Sequence, residues 1–150
     1  MKRHDYLKKT EERIGWALGE LSDRPSSEEI ADLARLIVDG TTGRWRYFHN
    51  PDHLFEVAGD DDPLEVLAGL YHDLLYVQVD RTIFLNLACQ VSAVVTQDGD
   101  QLRIRSAEAL PDVLAIALSM AVFGFEPGKI LHPSSGQNEF LSAVVAARVL

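Results

Sequence analysis

The sequence predicts an all-α fold in a single domain spanning residues 1–150. Two observations carry that expectation. Apolar residues recur at helical spacing through most of the chain, and several segments open with Ser, Asn-Pro or Asp-Pro start signals. A third is composition: 47% apolar and 25% charged residues make an ordinary globular mix with enough apolar material for a sizeable core. About six or seven helices and no sheet of consequence are expected.

The first helix should span about Asp5 to Leu21, with an apolar stripe at Leu7, Ile14, Ala17, Leu18 and Leu21. After Pro25, Ser26 and Ser27 offer caps, Glu28 and Glu29 favour the helix dipole, and Ile30, Leu33, Ala34, Ile37 and Val38 form a stripe that Gly40 should stop. Thr41 to Tyr47 reads as a loop. Asn50 caps a third helix with Pro51 at its first position, where a missing N–H costs nothing, and this helix runs to about Ala58. The acidic turn Gly59 to Asp62 leads into a Leu/Ala-rich helix from Pro63 to about Tyr76, and another follows from about Thr82 to Val95. Thr96 to Arg105 is polar and contains Asp98-Gly99-Asp100, which predicts a loop with at most a short extended piece at Leu102 to Ile104. Pro111 to Phe123 reads as a buried helix, and Phe125 to Gly136 as a loop punctuated by Pro and Gly. A last helix begins near Asn138 and is still apolar at Leu150, so the chain is expected to be cut short there. The predicted core comprises Ile30, Leu33, Ile37, Leu54, Val57, Leu67, Leu70, Leu74, Val91, Leu114, Leu118 and Leu141.

A formal net charge of −9 and a pI near 4.9 argue against polymeric nucleic acid and anionic membranes as partners. They leave room for a small phosphorylated ligand, because a bound cation reverses the local sign. The lone Cys89 has no internal disulfide partner and reads as a small buried residue. The charged N-terminus lacks a signal-peptide pattern and no apolar run is long enough to span a bilayer, which makes the cytoplasm the expected location.

The chemistry concentrates in two places. His49 and His53 stand four apart at the start of the Asn50-capped helix, where both rings can face one side. His72 and Asp73 are adjacent within an otherwise apolar helix, a costly placement unless the pair is satisfied. A divalent cation satisfies both, since neutral imidazole and carboxylate are good ligands for borderline and harder metals. His4 and His132 have no partners at ligand spacing.

Arg46-Tyr47-Phe48-His49-Asn50-Pro51-Asp52-His53, then Tyr71-His72-Asp73-Leu74-Leu75-Tyr76, then Asn138-Glu139-Phe140-Leu141-Ser142-Ala143 resemble the HD superfamily. More closely, they are similar to its predicted metal-dependent phosphohydrolases, with the pattern Tyr-His-Asn-x-x-His, His-Asp-x-x-Tyr and Asn-Glu-x-x-Ser-Ala. The resemblance covers roughly Arg44 to Tyr76 and Gln137 to Leu150. It implies an HD-like helical bundle in which residues 77–136 form a two-helix insertion. It implies that His53, His72 and Asp73 hold a divalent metal ion (Mn, Fe, Co, Ni, Zn or Mg), with His72 and Asp73 also catalytic. His49 is implied as a metal ligand, an outer contact of the metal or a substrate contact, and Arg46 and Glu139 as outer or substrate contacts. Arg44 and Arg46, just before the histidine helix, read either as grips for a phosphate or as solvated loop cations. Tyr76 reads as a packing residue. The family's closing metal Asp would fall past Leu150, so weak or no metal binding and little hydrolase activity are expected of these 150 residues, with Asp80, Asp98, Asp100, Asp112 and Glu139 as the acids that could substitute and Glu139 the best of them. The implied function is a metal-dependent phosphohydrolase acting on a small phosphorylated substrate. The alternative is a non-catalytic HD-like module that binds a ligand or partner. The helices of the insertion would suit a lid or a homo-oligomer interface.

Overall fold

Helix α1 (Arg3–Glu20) and helix α2 (Ser27–Thr41) form an antiparallel pair at the start of the chain. The computed structural model describes residues 2–81 and 83–150. Ser26 starts α2 through a reciprocal capping box with Glu29, its hydroxyl accepting from the Glu29 amide at 3.2 Å. Gly40 does not end α2. It lies one residue inside the helix, where an added Cβ would stand 2.7 Å from Leu74 Cδ1, so its role is close approach to the turn that carries Asp73.

Two short helices follow, each with its expected start. Asn50 accepts from the His53 amide at 3.1 Å and Pro51 opens α3 (Pro51–Ala58). Asp62 accepts from the Leu64 and Glu65 amides and Pro63 opens α4 (Pro63–Tyr71). The hairpin between them closes tightly because Gly69 has no side chain: a Cβ there would lie 2.3 Å from Ala58 Cα. Helix α4 stops at Tyr71, short of the Tyr76 expected from the sequence, and His72 is its C-terminal cap. The carbonyls of Asp73 and Leu74, which a longer helix would pair with later amides, instead accept from Arg46.

Residues 77–136 hold more than two helices and loops. A single turn, α5 (Val77–Asp80), precedes α6 (Leu85–Val91), which is shorter than the helix expected from Thr82 to Val95; Thr82 itself lies outside the described residues. The predicted loop after Thr96 is a hairpin of β1 (Val95–Asp98) and β2 (Gln101–Ile104), antiparallel with Val95 opposite Ile104. Gly99 supplies the positive φ of +58° at the first turn position. Leu102 and Ile104 point inward and alternate with exposed neighbours. A third strand, β3 (Ile130–Leu131), adds to β2 across Leu102–Leu131. Helix α7 (Leu114–Phe123) comes between. It is not a buried helix: Ile116 and Met120 face the core, while Leu114 and Leu118, both expected there, are 75% and 55% exposed. Val57 is likewise half-exposed, because α3 packs through Leu54, Phe55 and Ala58.

The last helix, α8 (Gln137–Val149), supplies Phe140, Leu141, Val144 and Val145 to the centre of the core, where they meet α4, α6 and α7. Cys89 is exposed, contrary to the buried position expected of it. The fold is thus mainly helical, with eight α-helices and one small sheet among the described residues. No helix among them is long and apolar enough to cross a membrane.

Candidate metal centre

Three imidazoles from two separate segments of the chain meet at one carboxylate oxygen. Oδ2 of Asp73 lies 2.5 Å from His49 Nδ1, 2.9 Å from His72 Nε2 and 3.5 Å from His53 Nε2. The His53 and His72 rings stand 5.4 Å apart between centroids, and those of His49 and His53 5.6 Å apart. The antiparallel α3–α4 hairpin brings this about, since it sets the first turn of α3 beside the last turn of α4. Asp73 is the most enclosed of the four, with 14% of its side chain exposed, while each imidazole is about one-third exposed.

The proton inventory of His72 is informative. Its Nδ1 lies 2.7 Å from the Gly69 carbonyl oxygen, which only accepts, so Nδ1 carries a proton. A neutral ring then turns the Nε2 lone pair towards Asp73 Oδ2, acceptor against acceptor. Either a second proton or a cation must lie between them. Without a cation the ring takes the proton: the hydrogen bond to Asp73 raises the His72 pKa against the opposing effect of burial, and the nearby Glu139 charge adds to the rise. Burial pushes the Asp73 carboxyl up, but hydrogen bonds from His72 and His49 outweigh it and hold the group well below the usual carboxylate range.

The same arrangement fits a metal ion. Ligand atoms about 2 Å from a shared ion sit about 3 Å from one another, close to the separations found around Asp73. His49, His53 and Asp73 offer ligand atoms that all lie within 4.8 Å of one another. His49 belongs to this mutual group with His53 and Asp73, and His72 joins through Asp73. A ring nitrogen fixed on a backbone carbonyl, as in His72, is the usual way a protein orients a ligating imidazole.

Arg46 has a different task from the phosphate grip expected of it. Its side chain is fully buried, and all five N–H groups are spoken for. Nε and Nη2 bind the Asp80 carboxylate, with the closest contact 2.6 Å; Nη1 donates to the carbonyls of Asp73 and His49, and Nη2 also to that of Leu74. The guanidinium therefore ties the backbone of two cluster residues to α5. From the other side, α8 secures the same segment: Ser142 Oγ accepts from the Leu75 amide at 3.0 Å, and Asn138 Oδ1 from the Val77 amide at 3.2 Å. Two members of the Asn-Glu-x-x-Ser-Ala segment thus act as backbone braces for residues 75–77. Glu139, between them, is exposed and faces the His72 neighbourhood without joining the mutual ligand group.

Tyr76 packs edge-on against His49, with ring centroids 4.4 Å apart. Arg44 is exposed and stacks on Trp45. His132 bonds to Ser134 in a short 3₁₀ turn, away from the cluster. Asp80, one of the substitute acids, is the counter-ion of the buried Arg46. Comparison with protein-family models, with curated proteins and with solved structures finds no match for this chain.

Proposed function

We propose that this chain is a metal-dependent phosphohydrolase of HD type acting on a small phosphorylated substrate. The observation that carries this reading is the convergence of three imidazole nitrogens on one oxygen of Asp73. His49, His53 and Asp73 would hold a divalent cation, with His72 beside them. The cation, when bound, supplies Lewis acidity towards a phosphoryl oxygen and lowers the pKa of water. Asp73 is placed to accept a proton at Oδ2. His72, its Nδ1 proton fixed on Gly69, presents Nε2 to the same oxygen and would give up a proton there as the cation binds. The partial exposure of all three rings leaves the cluster open to a substrate.

The test is metal analysis of the purified protein, followed by phosphate release from a panel of small phosphorylated compounds with Mn²⁺ and with chelator. Metal bound in the presence of excess Mn²⁺, hydrolysis that needs it, and loss of both in His53→Ala and Asp73→Asn are expected. Absence of metal binding would end this reading. A non-catalytic module that keeps the metal is the second reading, favoured by one feature: Arg46 is consumed inside the protein and offers a phosphate nothing. Metal binding without any hydrolysis would select it.

A further inference from the structure

Helix α7 carries an apolar outer face. Leu114, Leu118 and Val122 stand four apart on it and are 75%, 55% and 80% exposed, and Ala117 and Ala121 form a lower exposed row beside them. No charged residue lies between Asp112 and Glu126, in a chain whose net charge is −9. A helix of this composition is ordinarily covered on all sides. With Val113, these side chains expose roughly 500 Å² of apolar surface on one face, near the upper end of what a monomer shows.

The relief of this face is self-complementary. The Leu114, Leu118 and Val122 row is a ridge. Beside it, past the alanine row, runs a groove of about 550 Å³ whose far wall includes Leu110, Phe125 and Pro127. Rows at four-residue spacing pack ridge into groove. The charges at the two ends of α7 are complementary as well. Asp112 lies at the N-terminal end and lines the groove, and the Lys129 ammonium lies 3.4 Å from the Gly124 carbonyl at the C-terminal end. Both residues are exposed, and neither has an oppositely charged partner among the described residues.

We infer that this face is the contact between two copies of the chain, set antiparallel about a twofold axis at Leu118. A twofold contact needs ridge and groove, acid and base, on one patch, and α7 offers all of them. Leu118 meets its own counterpart at the axis. Asp112 precedes Leu118 by the same number of residues as Gly124 follows it, so it falls beside Gly124 of the second copy, where that copy's Lys129 sits. The symmetry makes this ion pair twice. Two such faces bury roughly 1,000 Å², the size at which a specific contact begins, and the polar rims add to it. Two copies of net charge −9 repel one another over most of their surface, and the charge-free face is where they approach at least cost. The contact needs neither metal nor substrate.

Sedimentation velocity of the full chain at micromolar concentrations tests the contact. A particle of twice 16.7 kDa is expected. Leu118→Glu sets two carboxylates face to face at the axis and should leave a monomer; the position is exposed in the single copy, so circular dichroism should show unchanged helix content. Asp112→Lys and Lys129→Asp each place like charges at both ends of the contact and should each weaken the dimer about tenfold. Mixed in equal amounts, these two variants should form a heterodimer as tight as the wild-type pair, because each end again joins an acid to a base. A wild-type monomer throughout, a dimer that survives Leu118→Glu, or mixed variants that associate no better than either alone would overturn the inference. Open-ended growth with concentration would do the same, since a twofold contact closes at two copies.

Discussion

Replacing Arg46 by Met tests the idea that the centre is held from behind by one buried cation. The change leaves the Asp80 carboxylate, 6% exposed, without its counter-ion and removes the donor from three carbonyls, those of His49, Asp73 and Leu74. Breaking a buried pair by removing one partner costs about 3–5 kcal/mol, a large part of the roughly 5–15 kcal/mol that holds such a domain together. Asp80→Asn should cost less, about 2–3 kcal/mol, because an amide oxygen still accepts from the guanidinium. The double variant Arg46→Met/Asp80→Leu removes both charges, and because buried pairs replaced by apolar groups are often no less stable than the pair, it should recover much of the about 3–5 kcal/mol lost in Arg46→Met. Urea unfolding measures these differences. A metal titration then separates packing from positioning. The double variant should regain stability but not metal affinity, because the backbone of His49 and Asp73 still lacks its donor. If it restores both, or if Arg46→Met costs under about 1 kcal/mol, Arg46 is ordinary core and the positioning argument is wrong.

Other perturbations probe the same frame. In Gly69→Ala the new Cβ, 2.3 Å from Ala58 Cα, must force α3 and α4 apart by about 1 Å; a loss of about 1–3 kcal/mol and weaker metal binding are expected, and unchanged melting would contradict the close packing. Ser142→Ala leaves the buried Leu75 amide without an acceptor and should cost about 1–3 kcal/mol in denaturant unfolding, while Ser142→Thr, if it fits, should restore most of it. For the metal-free protein the pH dependence follows from opposite shifts at one contact. The Asp73 pKa is lowered on folding, so its stabilisation is present above the unfolded value of about 4 and is lost as pH falls through the folded one. The His72 pKa is raised, so its stabilisation is complete below about 6.5 and fades as pH rises through the folded value. Melting temperature in chelator should therefore decline on both sides of that window, and Asp73→Asn should flatten the alkaline decline; a wild-type profile flat from pH 5 to 9 would refute the pairing. Metal must displace the His72 proton, so affinity should rise with pH over the same alkaline range.

What the sequence made legible was local. Ser26 with Glu29, Asn50-Pro51 and Asp62-Pro63 each announce a helix start because a cap bonds amides two or three residues away. The four cluster residues were legible for a related reason: their spacing within two short segments survives whatever lies between. The end of α4 was not, because the donor that takes its carbonyls belongs to Arg46, 27 residues from Asp73. The hairpin at residues 95–104 hid behind polar residues and four-residue strands, although Gly99 and the alternation at Leu102 and Ile104 were its trace. Helix α7 misled in another way. Leu114 to Phe123 is apolar on every side, so periodicity has no contrast from which to choose a face, and bulk selected Leu114 and Leu118 where the fold buries Ile116 and Met120.

Arg46 shows why such a misreading matters for chemistry. A cation beside a histidine motif has two readings from sequence alone, anion grip or structural tie, and local context cannot separate them. The deciding residue is Asp80, 34 positions away in a one-turn helix that carries no periodic signal. Once the two are paired, the guanidinium contributes no net charge to the site, and the protein as a whole carries −9. Attraction for a phosphate then has to come from the cluster itself, from a held cation or from imidazoles that keep a second proton. In the metal-free state the second source fades as pH rises, since His72 loses its proton while Asp73 stays negative. Phosphate affinity of the metal-free protein should accordingly be weak and fall with pH, whereas that of the metal-loaded protein should not follow the His72 titration. Inorganic phosphate titrated with and without Mn²⁺ at two pH values distinguishes the cases, and tight metal-free binding at high pH would mean that another cation reaches the site.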